Sequence, residues 1–132
     1  MRVKKLDHVA IVVENVNKAL ERYEKIFGLK GEIIVRDDMG IKFGILNFPN
    51  FRIELMEPIK EDSVIYNFLK KRGEGVHHIA LEVENIEEAI RDIKNGGGEL
   101  VDENPKEGLH GYKMVFIHPK SLNRVLVELI EW

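Results

Sequence analysis

The chain of 132 residues lacks cysteine altogether, and it also contains no glutamine and no threonine. The absence of cysteine excludes disulfide scaffolds, zinc sites built from thiolates, CxxC redox motifs and cysteine nucleophiles. No apolar stretch approaches the roughly 18 residues that a membrane-spanning helix needs, and the N-terminal apolar run is too short for a signal peptide. We therefore expect a cytoplasmic protein that does not contact a membrane.

An excess of one charge is also missing, because 20 Lys and Arg residues face 23 Asp and Glu residues and leave a net charge of −3. The charges are scattered, so the sequence offers no basic patch for nucleic acid. A surface rich in lysine and glutamate without glutamine or cysteine is typical of thermophilic sources. The length predicts one domain, or two small fused modules, with a core that needs no cross-links.

An internal duplication is the most informative feature of the sequence. Three stretches of the N-terminal copy align with the C-terminal copy: residues 7–28 with 77–98, residues 40–46 with 111–117, and residues 52–57 with 126–131. The alignment places His8 on His78 and Glu54 on Glu128. Because chance seldom produces such agreement, we interpret the chain as two copies of one module.

Each copy is predicted to fold as βαβββ. The first strand of each copy alternates, at 6–13 and 76–83, and Asn15 and Asn85 are candidate N-caps for the amphipathic helices that follow. Three further strands are predicted in each copy, at about 31–36, 40–48 and 51–57 and at about 99–101, 111–117 and 124–131. Between the copies, Asp62 is predicted to cap a linker helix that ends at Gly73.

Two histidines and two glutamates interrupt otherwise aliphatic strands at matching positions. A single strand histidine is more often a core residue than a ligand, and a strand glutamate usually faces solvent, but the repetition favours a metal site. If the modules pair about a pseudo-twofold axis, the four side chains converge and supply ligands for Co, Mn, Ni, Zn or Fe. The four predicted ligands are His8, Glu54, His78 and Glu128. His77 is expected on the opposite strand face.

Four segments carry a resemblance to a known family: KKLDHVAIVVENV, FLKKRGEGVHHIALEVENIEEAI, HGYKMVFIHPKS and VLVELI. Together they resemble the methylmalonyl-CoA epimerases, which belong to the vicinal oxygen chelate superfamily with glyoxalase I and the extradiol dioxygenases. The resemblance implies an α+β, glyoxalase-like fold, in which two tandem βαβββ modules form an open, partly closed barrel-like sheet around a central metal. The implied single domain divides into a first module (1–58), a linker helix (59–74) and a second module (75–132).

The resemblance also implies a mechanism and a set of site residues. The four predicted ligands would hold a divalent ion, with cobalt first and Mn, Ni or Zn as alternatives, and the bound ion would stabilise the enolate of an acyl-CoA. Glu128 is the first candidate for the proton-transferring base, and Glu54 is a candidate for the opposite face. Some relatives have a glutamate where this chain has Phe43, so the identity of the second base stays open. A homodimer is implied as well.

Three further residues are candidates for substrate binding. Lys120 and Ser121 are predicted to meet the carboxylate or a phosphate of the substrate, with a solvated turn as the alternative. His110 lies in a loop bounded by glycines that either closes over the site or only turns the chain. Glyoxalase I is the alternative function; an extradiol dioxygenase or a metal-free binding module fits the four-ligand set less well.

Overall fold

The computed structural model describes residues 1–132, and it contains eight strands and three α-helices. None of the helices is long and apolar enough to cross a membrane. The N-terminal copy comprises β1 (Val3–Val12), α1 (Val16–Phe27), β2 (Glu32–Arg36), β3 (Ile41–Asn47) and β4 (Arg52–Pro58). After α2 (Tyr66–Arg72), the second copy comprises β5 (Gly75–Val83), α3 (Ile86–Asn95), β6 (Lys106–Glu107), β7 (Lys113–Ile117), a 3₁₀ turn (Pro119–Ser121) and β8 (Val127–Glu131). The predicted βαβββ order is therefore confirmed in both copies.

The first compact unit of the chain runs from His8 to His77. Its strands follow the order β2-β3-β4-β1, with β4 parallel to β1 and the other pairs antiparallel. Apolar residues of α1 and of one face of the strands form its core. The core consists of Val13, Val16, Leu20, Leu46 and Leu55.

The second compact unit comprises Met1–Asp7 and His78–Trp132. Its strands follow the order β5-β8-β7-β6, with β8 parallel to β5 and the other pairs antiparallel. The first residues of β1 lie in this unit, where the Glu84 N–H donates to the Arg2 carbonyl at 3.0 Å. Apolar residues of α3 pack on its strands, and they form a core with Val115, Val127 and Leu129.

The two long helices begin in the same way, as the sequence predicts. The Asn15 side chain accepts the Lys18 N–H at 3.0 Å, and the Asn85 side chain accepts the Glu88 N–H at 2.8 Å. These bonds satisfy backbone donors that have no partner within the helix, so both predicted N-caps are confirmed.

A further hydrogen bond, to a glutamate carboxylate, supports the start of each helix. This bond was not predicted from the sequence. The Val16 N–H donates to the Glu57 carboxylate, and the Ile86 N–H donates to the Glu131 carboxylate, both at 2.8 Å. Glu57 and Glu131 occupy matching places in β4 and β8. The duplication therefore preserves an anion at the positive end of each helix.

The predicted cap of the linker helix is wrong. α2 begins after Ile65 without any side-chain cap bond, and Asp62 lies in the turns that precede it. Backbone bonds to the carbonyls of Lys60 and Ser63 close these turns, so the chain enters α2 from tight turns rather than from an extended residue. An N-cap side chain at Asp62 would require the helix to begin at the next residue, and it begins four residues later.

The predicted strand at 99–101 is also wrong, since only an isolated bridge joins Leu100 to Ile117. The short strand β6 forms later, at Lys106–Glu107, after a segment that includes Pro105. Proline has no N–H for a strand ladder, which explains why regular pairing resumes only beyond it.

Candidate metal centre

The first His–Glu pair consists of His8 on β1 and Glu54 on β4. The parallel pairing of these strands places Ala10 opposite Glu54 and His8 opposite Arg52. This register brings the His8 Nε2 atom within 3.5 Å of the Glu54 Oε1 atom. The two side chains are only 1% and 3% exposed, so the pair is removed from bulk water.

Strand alternation explains why an aliphatic strand buries this glutamate. Ile53 and Leu55 pack against the apolar face of α1. Because successive side chains point to opposite faces of a strand, Glu54 must lie on the face that turns away from the helix. The apolar packing of its neighbours therefore determines where the carboxylate is placed.

The second His–Glu pair consists of His78 on β5 and Glu128 on β8. The His78 Nε2 atom lies 3.6 Å from the Glu128 Oε1 atom, and the side chains are 6% and 4% exposed. The Phe116 ring meets the His78 imidazole edge to face, with 5.2 Å between ring centroids. That contact limits rotation of the imidazole.

The two His–Glu pairs have the same residue types, and their strands pair in the same register. Ala80 lies opposite Glu128, as Ala10 lies opposite Glu54. The Nε2 to Oε1 distances agree within 0.1 Å (3.5 and 3.6 Å). The duplication inferred from the sequence therefore extends to the geometry of the polar side chains.

The chemistry of the pairs suits a divalent transition-metal ion. His8, His78 and Glu128 are buried and supply the nitrogen and oxygen ligand atoms that such ions take. Burying carboxylates and imidazoles is costly unless charges are balanced, and a divalent cation provides that balance. No cysteine is present, so any ion must accept imidazole and carboxylate ligands.

Arg52 is a neighbour of the first pair that the sequence analysis missed. Its Nη2 atom donates to the Glu54 Oε2 atom at 3.0 Å and lies 3.4 Å from the His8 Nδ1 atom. Strand alternation provides the signal that would have found it, since Arg52 lies two residues before Glu54 and thus on the same face.

The predicted substrate-binding residues of the Pro119 turn contact Glu99. The Lys120 ammonium lies 3.0 Å from the Glu99 carboxylate, and the Ser121 hydroxyl accepts the Glu99 N–H at 2.9 Å. Both contacts fasten the turn to the start of the segment that follows α3.

His110 is exposed and stacks on Trp132, with 6.0 Å between ring centroids. The Trp132 indole N–H donates to the buried Asp7 carboxylate at 3.1 Å. This contact was not predicted from the sequence. Tyr112 meets the same indole edge to face at 5.0 Å. The loop that carries His110 is therefore packed on the C-terminal residue.

Phe43 lies buried on β3, opposite Met56 of β4. It shares a strand face with Glu54, because Ile45 is the residue that pairs with Glu54 in the same ladder. A phenyl ring cannot move a proton, so the position occupied by glutamate in some relatives is apolar here.

Comparison with known proteins identifies the family of the chain. Residues 7–116 match the family described as Glyoxalase/Bleomycin resistance protein/Dioxygenase superfamily. The chain is 40% identical to the mitochondrial methylmalonyl-CoA epimerase of Dictyostelium discoideum over 98% of its own length and 79% of the relative. A lactoylglutathione lyase of Neisseria meningitidis is less similar, at 30% identity over 89% of this chain and 92% of that protein.

Solved structures give the same result. The methylmalonyl-CoA epimerase of Mycobacterium tuberculosis superposes with a TM-score of 0.90 at 37% identity, covering 98% of this chain and 88% of that one. A substituted Streptomyces coelicolor methylmalonyl-CoA epimerase in complex with 2-nitronate-propionyl-CoA superposes with a TM-score of 0.91 at 29% identity, covering 98% and 94%. These matches confirm the predicted glyoxalase-like α+β fold. The chain belongs to the methylmalonyl-CoA epimerase family within the glyoxalase, bleomycin resistance and dioxygenase superfamily.

Proposed function

We propose that this protein is a metal-dependent methylmalonyl-CoA epimerase that interconverts the R and S forms of its substrate. The observation that carries the proposal is the repeated buried His–Glu pair, which has the same register and nearly the same distance in both copies. The family relationship supplies the substrate class, because the relatives described above at 37% and 40% identity bear this name.

We propose His8, Glu54, His78 and Glu128 as the ligands of one divalent ion. When bound, such an ion would act as a Lewis acid that stabilises the negative charge developing on the substrate. The Nε2 atoms face the carboxylates within each pair, which supports Nε2 as the proposed ligating atom of both histidines.

Glu128 is our candidate for the group that removes the α-proton. A carboxylate that holds an ion through one oxygen can take a proton on the other, and epimerisation also needs a proton carrier on the opposite face of the carbon. We assign the opposite face to Glu54, since Phe43 offers no titratable group, and proton transfer through its Oε2 atom would require the Arg52 N–H to release that oxygen. The β4 and β8 strands present these two carboxylates from matching positions.

The substrate-binding assignments extend the same proposal. Lys120 supplies a cation and Ser121 a hydroxyl at the Pro119 turn, where they would meet the substrate carboxylate or a coenzyme A phosphate. His110, held against Trp132, would contribute to the same binding surface. An ammonium group that pairs with Glu99 in an exposed turn remains accessible to an anionic ligand.

We propose cobalt as the bound ion, with Mn, Ni and Zn as alternatives. We also propose that the protein is a homodimer and that it is cytoplasmic. Four relatives are named mitochondrial, so compartment is tested by fractionation of the source cells. Metal analysis of the purified protein and light scattering test the ion and the homodimer. The proposed thermophilic source predicts activity that survives prolonged heating.

The decisive experiment follows exchange of the substrate α-proton by NMR in deuterated water with cobalt present. We expect solvent deuterium to enter the α-carbon of methylmalonyl-CoA with the native protein and not with Glu128→Gln that retains its cobalt. An absence of exchange by the cobalt-loaded native protein would overturn the proposal. Turnover of the methylglyoxal–glutathione adduct in its place would identify a glyoxalase I.

A further inference from the structure

Arg52 makes the two His–Glu pairs unequal. Its guanidinium contacts both members of the first pair, at 3.0 Å from Glu54 Oε2 and 3.4 Å from His8 Nδ1. The alignment that places Glu54 on Glu128 places Arg52 on Leu126. The matching position of the second copy is therefore apolar, and the guanidinium is a feature of the first copy alone.

Because of the contact with Arg52, the two oxygens of the Glu54 carboxylate have different partners. Oε2 accepts the Arg52 N–H, while Oε1 lies 3.5 Å from the His8 Nε2 atom. A charge-assisted bond to a planar guanidinium restricts rotation of a carboxylate more than a contact with a flexible ammonium does. Oε1 is thus the oxygen that remains available beside the imidazole.

The charge of Arg52 has a second consequence. Its side chain is 15% exposed and that of Glu54 is 3% exposed, so the ion pair is largely withdrawn from water. Removing one member of such a pair leaves the other as an uncompensated buried charge. Arg52 therefore balances Glu54 in the absence of any metal.

We propose that Arg52 is a positioning residue that fixes Glu54 as a one-oxygen ligand through Oε1 and keeps the first pair organised before the ion binds. This inference rests on the proposed metal site for its catalytic consequence but not for its structural one. The two copies then differ in how their pairs are held. The Arg52 guanidinium holds the first His–Glu pair, and the second pair has no arginine at the matching position.

The test compares Arg52→Leu, which copies the residue of the second module, with Arg52→Lys and with the control Arg36→Leu. Arg36, the last residue of β2, forms a 2.8 Å pair with Asp38 in the turn that follows, so the control removes the same side chain from an ion pair at the surface. Each variant is measured without metal and with cobalt. The readouts are the melting temperature, the visible absorption spectrum of bound cobalt, and the rate of α-proton exchange.

For Arg52→Leu we expect a lower melting temperature without metal, and a larger increase on adding cobalt than the native protein shows. The ion then supplies the charge balance that the arginine provided. We also expect an altered cobalt spectrum, because Glu54 is free to rotate, and a kcat lower by roughly 10- to 100-fold with a smaller change in KM. Arg52→Lys should recover part of the metal-free melting temperature, and Arg36→Leu should match the native protein in every readout.

A native cobalt spectrum together with a native cobalt-induced increase in Arg52→Leu would overturn the inference. If that variant does not fold, Arg52→Lys decides by the same two readouts, since a flexible ammonium restricts the Glu54 carboxylate less than the guanidinium does. A native protein that binds no cobalt would contradict the proposed function instead. In that case the metal-free melting temperature still tests Arg52, and an unchanged value in Arg52→Leu would refute its positioning role.

Discussion

His77 and His78 are adjacent residues of one type with different surroundings. His78 is buried beside Glu128 and Phe116, whereas His77 is partly buried and meets the Phe68 ring edge to face at 5.0 Å. Strand alternation separates them, since neighbouring side chains point to opposite faces of β5. The expectation that His77 lies on the opposite strand face is thereby confirmed, and its contact with Phe68 is a packing contact.

The two histidines give a direct test of the proposed ligands. We expect His78→Ala to lose bound cobalt. Its turnover should fall by more than the roughly 10- to 100-fold that is typical for a residue that contacts a metal-ligating side chain without binding the ion itself. His77→Ala should keep both cobalt and turnover, because its side chain lies on the opposite face of β5 from His78. Metal analysis of the purified variants and the exchange assay measure the two effects. Cobalt retained at native affinity in His78→Ala would remove this residue from the ligand set.

At the scale of elements, α1 and α3 begin with the same arrangement. An asparagine caps each helix, and a glutamate from the last strand of each module accepts the first helical N–H. The caps are local, so the sequence predicts them. The glutamates reach across 41 and 45 residues, respectively, so only the packing of helix on sheet reveals their partners.

Removing either cap should destabilise the protein by a similar amount. We expect Asn15→Ala and Asn85→Ala each to lower the free energy of unfolding by about 1 kcal/mol, because each leaves a helical N–H without its side-chain acceptor. Asn67→Ala, at an exposed position inside α2, serves as the control and should be neutral or slightly stabilising. Urea denaturation measures all three. Equal stability of the cap variants and the control would show that the caps contribute nothing.

The C-terminal residue holds the loop that carries His110. Trp132 donates to the buried Asp7 carboxylate and packs on Tyr112. We expect Trp132→Phe to lower the free energy of unfolding by about 1–3 kcal/mol, because Asp7 loses a donor in a buried position. The 108–112 loop should also become more sensitive to limited proteolysis.

His110→Ala is the matched control for Trp132→Phe. It removes only the exposed partner of the stack, so its effect should stay within about 0.5 kcal/mol. Proteolysis of the loop at the native rate in Trp132→Phe would contradict the anchoring role of the tryptophan.

The whole molecule carries a small net negative charge, yet its proposed substrate is an anion. A divalent cation among buried carboxylates changes the local field far more than three surface charges do.

The division into residues 1–58, 59–74 and 75–132 stays a prediction, and it differs from the compact units in where it assigns the first seven residues.

Metal binding should be linked to the stability of the whole chain. At a cobalt concentration of 100 times Kd, mass action adds about 2.7 kcal/mol, which corresponds to a rise in melting temperature of roughly 5–10 °C for a domain of this size. A chelator should reverse the rise. Magnesium, which prefers oxygen ligands, should produce little of it. A melting temperature that is insensitive to cobalt would contradict the proposed metal site.

The sequence by itself determined the duplicated βαβββ order, the histidines and glutamates at matching strand positions, and the exclusion of thiolate ligands. These features follow from periodicity, local capping and composition, which act over short stretches of chain. Only the tertiary structure decided that Arg52 divides the oxygens of Glu54, that Trp132 reaches Asp7, and that the linker helix starts after Ile65. Strand alternation places Arg52 on the face of Glu54, but which oxygen it bonds depends on the packed side chains around it, and Trp132 bonds Asp7 across 125 residues of sequence.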